Sequence, residues 1–325
     1  MKKRALVVSG GGSRGAFGGG LVENLIKLKN KEWDIFIGTS TGSLLVPLIS
    51  IKEIDKLKEK YTSVTNKDIF NIRPFKQNGK VKICNLLMRV ITGKTSIGQG
   101  KNLRKNIEHI FTKKDFNKSI ELGKEINITV GNITTANSEY KSQNECKYED
   151  FCDWMLASCS VPIAFEVIKK DEYEYLDGGI YDNVPIQRAI DLGAEEIDVI
   201  ILSEKNKDMS KWKSKNIFNV MFRILDILSL GVTRNDIQLG KLEGELKNIN
   251  INYYYLPDNF DVGAGTVVFD PVVMKKWWTM GYNFDLNKDG NKKTLYDLNK
   301  ENIVIKYNLK KSDNGGYIVR KKWSK

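Results

Sequence analysis

Hydrophobic positions first cluster at KRALVVS (residues 3–9), an apolar run closed by a glycine-rich stretch. An unbroken run of this kind predicts a strand buried on both faces. A helical pattern follows from about Ala16 to Lys29, then a second strand, WDIFIG (33–38), and an apolar helix beginning in TGSLLVPLISI. Two strand–turn–helix units within fifty residues predict a parallel sheet covered by helices. The expected fold class is α/β, a three-layer α/β/α arrangement with a mainly parallel central sheet.

Farther along, residues 52–125 are lysine-rich and mostly helical in pattern, with ICNLLMRVI (83–91) as an apolar patch, and read as a cap-like insertion. Strand signals return at INITVGNIT (126–134), YEYLD (173–177) and EIDVIIL (196–202). The helix FCDWMLASCS (151–160) and another after Pro185 separate them. A polar loop with lysines at 205, 207, 211, 213 and 215 around Trp212 precedes an apolar helix over 217–232. The end reads as a hairpin, NIVIKYNL and GGYIVRKKW joined through SDNGG. These elements predict one domain over 1–325, with core motifs in 3–202, a cap-like insertion at about 52–125 and a helix-and-hairpin extension over 203–325.

Composition narrows the chemistry. With 41% hydrophobic residues in 325, the chain buries a full core. Its 52 basic against 40 acidic residues leave a net charge of +12, which suits an anionic surface and says nothing about fold. The lysines are scattered among asparagines, as on a basic solvated surface. Cys84, Cys146, Cys152 and Cys159 form no C-x-x-C pair, and His109 is the single histidine, so no zinc site is expected. Free thiols fit a reducing, cytoplasmic compartment. No apolar stretch approaches the roughly 18 residues of a membrane span, so a soluble or peripheral membrane protein is expected.

The opening loop, SGGGSRGAFGGG (9–20), places Gly10, Gly12 and Gly15 at dinucleotide-loop spacing. A dinucleotide site also needs an acidic residue at the end of the second strand. That strand carries Asp34 at its other end and GTSTG (38–42) at its tip. G-x-S-x-G between a strand and an apolar helix is the nucleophile-elbow pattern, which makes Ser40 the candidate nucleophile, with Gly38 and Gly42 permitting close packing around it. An acyl-transfer serine needs amide donors for the developing oxyanion, each worth about 3 kcal/mol in the transition state. Gly10, Gly11, Gly12 and Gly15 supply an unobstructed loop for them, with a helix N-terminus behind it. Arg14 is positioned to hold that loop through backbone carbonyls.

The base cannot be a late histidine, because His109 precedes every later strand. Asp177, at the end of an alternating strand and followed by Gly178 and Gly179, is the best-placed carboxylate; burial would raise its pKa and make it a better base. Asp182 is the alternative.

GGGSRG (10–15), GTSTG (38–42) and DGG (177–179), with ASCSVPIAFEVI (157–168) before the aspartate, together resemble the patatin-like phospholipase family, related to the catalytic domains of cytosolic phospholipases A2. The resemblance spans roughly residues 3–202. It implies a Ser40–Asp177 dyad without histidine, an oxyanion loop at Gly10–Gly15, and no metal or organic cofactor. The implied activity is lipid acyl hydrolysis of the phospholipase A or lysophospholipase type on phospholipid or other lipid esters at a membrane surface, with no nucleic-acid partner. Ser9 departs from the family's common acidic residue, and no proline closely follows Phe165. A nucleotide-binding loop and a catalytically silent membrane-binding module are the competing readings.

Other signals are weaker. DLNKDGN (285–291) begins like a calcium loop but has Tyr296 where a bidentate glutamate belongs. GKTS (93–96) lacks the upstream glycine of a phosphate loop, where Met88 stands. The stripe Ile217, Phe218, Met221, Phe222, Ile224, Leu225 and Leu228 reads as core-facing, although the adjoining Lys/Trp loop and the basic terminus (Arg320, Lys321, Lys322, Trp323, Lys325) suit a lipid headgroup region.

Overall fold

Ala5, Leu6, Val7 and Val8 are fully buried because both faces of their strand are covered. β1 (Arg4–Val8) pairs in parallel with β2 (Ile35–Thr39) on one side and β7 (Glu196–Glu204) on the other. β3 (Glu125–Asn132) adds in parallel beside β2, and β8 (Asn250–Leu256) beside β7, so five parallel strands run in the order β3-β2-β1-β7-β8. Antiparallel β4 (Asn137–Ser142), β5 (Ile168–Lys170) and β6 (Tyr173–Asp177) complete the sheet. The computed structural model describes residues 2–72, 89, 91–204, 213–214, 217–257, 260, 269–286, 306–311 and 317–322.

Alternation along the strands sorts the side chains into two cores. Leu6, Val8, Phe36 and Ile128 pack beneath α1 (Gly15–Lys29), α2 (Thr41–Ser50) and α7 (Tyr148–Ser158). Ala5, Val7, Ile35 and Val199 face α8 (Ile186–Asp191) and Ile237 of α9 (Ile217–Lys247). The expected three layers and mainly parallel sheet are therefore present. The described residues of 52–125 include the helices α3 (Ile54–Ser63), α4 (Asn66–Ile69), α5 (Lys101–Ile110) and α6 (Lys113–Glu121), the last leading into β3. Leu57, Leu103, Ile107 and Phe116 carry them into the first core.

The chain divides into two compact units, Met1–Gly290 and Asn291–Lys325. In the second, β9 (Lys306–Lys311) and β10 (Tyr317–Lys322) pair antiparallel, the hairpin expected from its turn residues. Most of ICNLLMRVI, Cys84, the loop around Trp212, the calcium-like sequence beyond Leu286, and Trp323 and Lys325 lie outside the described residues.

Beyond Leu202 the structure departs most from expectation. β8 and the helix α10 (Pro271–Tyr282) were not among the expected elements, and α9 runs 31 residues rather than ending at Val232. Its inward positions, Thr233, Ile237, Gly240 and Gly244, follow helical spacing but are mostly small, so no apolar stripe marks them. Added Cβ atoms at Gly240 and Gly244 would lie 2.7 Å from Ile186 and Ile251 side chains, which is why this face must be small. The apolar stripe expected to face the core points outward instead: Ile217 is 69% exposed, Ile224 50% and Leu228 60%. The side chains of Phe218 and Phe222 are outside the description.

α10 also explains the second half of the opening glycine run. A Cβ on Gly20 would fall 2.0 Å from the Trp278 carbonyl oxygen, and one on Gly281 2.1 Å from that of Phe17. The two helices thus meet backbone to backbone, with the Trp278 indole donating to the buried Glu23 carboxylate (2.6 Å). Gly20→Ala is expected to lower stability by about 3 kcal/mol, because a backbone neighbour cannot move aside as a flexible side chain can. Urea unfolding checks this through a lowered midpoint at an unchanged m-value.

Candidate active site

Strand register brings the site together. Residues 127–129 of β3 pair with both β2 and β4, and residues 130–132 with both β4 and β6, so β2 and β6 share one edge of β3. They approach from opposite directions. β2 ends with Thr39 opposite Thr129, and β6 ends with Asp177 opposite Val130, one residue farther along. Ser40, immediately after Thr39, therefore faces Asp177 across the junction of two strand ends.

Ser40 has φ 52° and ψ −121°, a left-handed conformation that costs a residue with a Cβ about 1–3 kcal/mol. Four hydrogen bonds hold it there. Its N–H donates to Ser158 Oγ (2.9 Å), while its carbonyl accepts from Ser43 N–H (2.9 Å), Ser43 Oγ (2.6 Å) and Cys159 Sγ (3.2 Å). Close packing also demands the flanking glycines: a Cβ on Gly42 would lie 2.0 Å from the Val8 carbonyl oxygen, and one on Gly38 2.4 Å from Gly42 backbone.

Asp177 is 5% exposed. Its carboxylate accepts Gly179 N–H at 2.8 Å, and the Ser40 hydroxyl beside it favours its charged form. Burial raises its pKa to about 6, against the lowering effect of those two donors. Gly178 turns tightly enough that a Cβ would lie 2.5 Å from the Thr129 carbonyl oxygen. Asp182 is occupied elsewhere, accepting from the Tyr140 hydroxyl (2.5 Å), with its own pKa pushed by burial to about 6. His109 lies exposed in the last turn of α5, away from both carboxylates' hydrogen bonds.

The glycine loop is ordered by its carbonyls. Gly10 C=O accepts from Ser9 Oγ (3.1 Å), Gly11 C=O from Arg14 Nε (3.1 Å), and Gly12 C=O from Thr41 Oγ1 (2.8 Å) and Tyr61 OH (2.9 Å). Because a trans peptide directs N–H opposite to C=O, fixing the Gly10 and Gly11 carbonyls also fixes the N–H directions of Gly11 and Gly12. Ser9 performs a second task, accepting Leu202 N–H at 2.8 Å and tying the loop to β7. Gly10 N–H donates to Asn183 Oδ1 (3.1 Å), so this amide is already paired. Gly15 lies against Thr41 and Tyr61, where a Cβ would come within 2.1 Å of the threonine methyl. Asp34 sits at the opposite end of β2, accepting Arg4 N–H (3.0 Å).

A cavity of about 70 Å³ opens at Ser40. Beyond Gly12 and Thr41 its lining is mainly apolar, from Leu57 of α3, Leu103 and Ile107 of α5, Met155 of α7, and Phe165. The helices read as a cap-like insertion thus supply much of its wall. Motif spacing did not single out Ser158, Tyr61, Asn183 or the α9 residues Thr233 and Asp236. These support the site through packing and hydrogen bonds between distant segments, which leave no local pattern.

An α/β sheet whose strand tip carries a strained serine beside a buried carboxylate, next to a glycine-rich loop pinned by its carbonyls, fits one family. The chain belongs to the patatin-like phospholipase family, whose profile matches residues 6–190. A relative described as probable lipid hydrolase 463L, from Invertebrate iridescent virus 6, is 27% identical over 220 residues, covering 64% of this chain and 68% of that protein. The crystal structure of VipD from Legionella pneumophila aligns with a TM-score of 0.44 at 13% identity, over 86% of this chain and 67% of VipD. No helix among the described residues is long and apolar enough to cross a membrane.

Proposed function

We propose that this protein hydrolyses fatty-acid esters of lipids through an acyl-serine intermediate. Family membership supports lipid hydrolysis in general. The observation that carries the finer reading is the strained Ser40 set beside buried Asp177 by the register along β3, at the mouth of an apolar cavity.

Asp177 accepts the hydroxyl proton as Ser40 Oγ attacks the ester carbonyl. The carbonyl oxygen becomes an oxyanion received by the N–H groups of Gly11 and Gly12, which the pinned carbonyls have already oriented. Collapse breaks the ester C–O bond, and protonated Asp177 returns its proton to the leaving alcohol. Water, deprotonated by the same carboxylate, then attacks the acyl-serine and releases the fatty acid. The aliphatic lining suits the acyl chain, since each buried methylene contributes about 0.8 kcal/mol. The basic surface and the exposed apolar residues of α9 suit work at the surface of a membrane, on phospholipid or lysophospholipid.

A fluorophosphonate probe is expected to label the protein and to fail on Ser40→Ala. Fatty-acid release from phospholipid vesicles should disappear in the same variant. Unlabelled, folded wild-type protein would count against the serine mechanism, and undiminished release by Ser40→Ala would overturn it.

A further inference from the structure

Asn183 is 7% exposed and stands between the glycine loop, the Asp177 turn and the C-terminal half of the chain. Its Oδ1 accepts Gly10 N–H (3.1 Å), and its Nδ2 donates to Thr233 Oγ1 on α9 (2.8 Å). Thr233 gives its own hydroxyl proton to the Ser229 carbonyl (2.8 Å), leaving a lone pair toward Asn183. This arrangement fixes the amide orientation, with nitrogen toward Thr233 and oxygen toward Gly10. One helical turn on, Asp236 Oδ2 accepts the backbone N–H groups of Asn183 (2.9 Å) and Val184 (3.0 Å). α9 therefore grips residue 183 by side chain and backbone together.

The fit on the other side is close. An added Cβ on Gly10 would lie 2.5 Å from Asn183 Oδ1 and 3.2 Å from Ser40 Cβ, and one on Gly179 would lie 2.9 Å from the same Oδ1. Any shift of Asn183 thus displaces the loop relative to both proposed catalytic groups.

We infer that Asn183, anchored on Thr233 and Asp236 of α9, is a positioning residue that holds the glycine loop in register with Ser40. The inference rests on the hydrolase reading above. It gives α9, which lies beyond the family-matched region, an indirect part in the reaction, through Asn183. Gly10 N–H is held by Asn183, and the next two amides are thereby placed for the oxyanion. Misplacing such donors by an ångström costs about 100-fold in rate, so the effect belongs in kcat more than in KM.

Three variants test this with a short-chain 4-nitrophenyl ester and with amide hydrogen exchange of the Ser9–Phe17 peptide. Thr233→Val keeps the shape and removes the acceptor; kcat is expected to fall about 10-fold with KM within about twofold. Asn183→Ala should lose about 100-fold in kcat and speed exchange in the peptide about 10-fold, while Thr233→Ser, which keeps the hydroxyl acceptor that Thr233→Val lacks, should stay near wild type in both. Should Asn183→Ala fail to fold, the isosteric Thr233→Val carries the test. Folded Thr233→Val with kcat within twofold of wild type and unchanged exchange would overturn the inference. A wild-type protein inactive on every ester would refute the hydrolase reading instead, and unchanged exchange in the variants would then separately refute the anchoring of the loop.

Discussion

Asp177→Asn is expected to lose about 1,000-fold in kcat while making the folded protein more stable above pH 6. Asparagine can still accept the Gly179 N–H but cannot take the Ser40 proton. The stability gain follows from the raised pKa. The wild-type carboxyl titrates near pH 6 when folded and near 3.9 when unfolded, so between these values the native state holds the extra proton. Its contribution is full below about pH 4 and is lost as pH rises through 6, amounting to about 3 kcal/mol at pH 8. The neutral variant avoids that loss. Melting temperatures at pH 4 and pH 8 check the sign: little difference at the first, a higher value for the variant at the second. For the wild type, kcat/KM should climb through a limb centred near pH 6, because only ionised Asp177 accepts a proton. His109→Ala should leave the limb in place; a folded but inactive His109→Ala would overturn the dyad.

Ile107→Phe is expected to shift chain-length preference rather than abolish activity. Ile107 is 2% exposed and lines the cavity from α5, so a larger ring occupies space proposed for the acyl chain. Excluding four methylenes forfeits about 3 kcal/mol of burial, close to 200-fold in kcat/KM for a long-chain ester. A butyryl ester should be hydrolysed within about threefold of the wild-type rate. Comparing 4-nitrophenyl butyrate and palmitate on both proteins separates this from general damage, which would lower both rates alike.

Asp236 sits near Asp182, and burial together with that neighbouring charge raises its pKa to about 8. Its two backbone donors oppose the rise without cancelling it. Residues that order the glycine loop thus include a half-buried acid whose charge is unfavourable.

Legibility in the sequence followed the range of each interaction. β1, β2, the elbow at Ser40 and the turn at Asp177 are local: apolar runs, glycines at close-packed turns and a serine at a strand tip leave patterns within a few residues. The glycine loop was legible as a tight strand-to-helix turn, but its spacing alone left nucleotide and oxyanion readings open until the second strand's tip was considered. β8, α10 and the inward face of α9 were not legible. Their burial depends on partners far along the chain, and on α9 the inward contacts use mostly glycine and threonine, which carry no hydrophobic signature.

The order and chemistry of the motifs, the lack of a late histidine and the α/β class were determined by sequence alone, because each is a property of neighbouring residues or of composition. Tertiary structure decided the rest. Only the register along β3 brings the ends of β2 and β6 within one residue of each other. Only the packing of α9 reveals that Gly10 N–H is held by Asn183. In SGGGSRGAFGGG, likewise, the first glycines form the loop above Ser40 while the last ones admit the backbone of α10. One run of glycines serves two purposes, because the absence of a side chain permits both an exposed amide and a close helix crossing, and what lies opposite determines which.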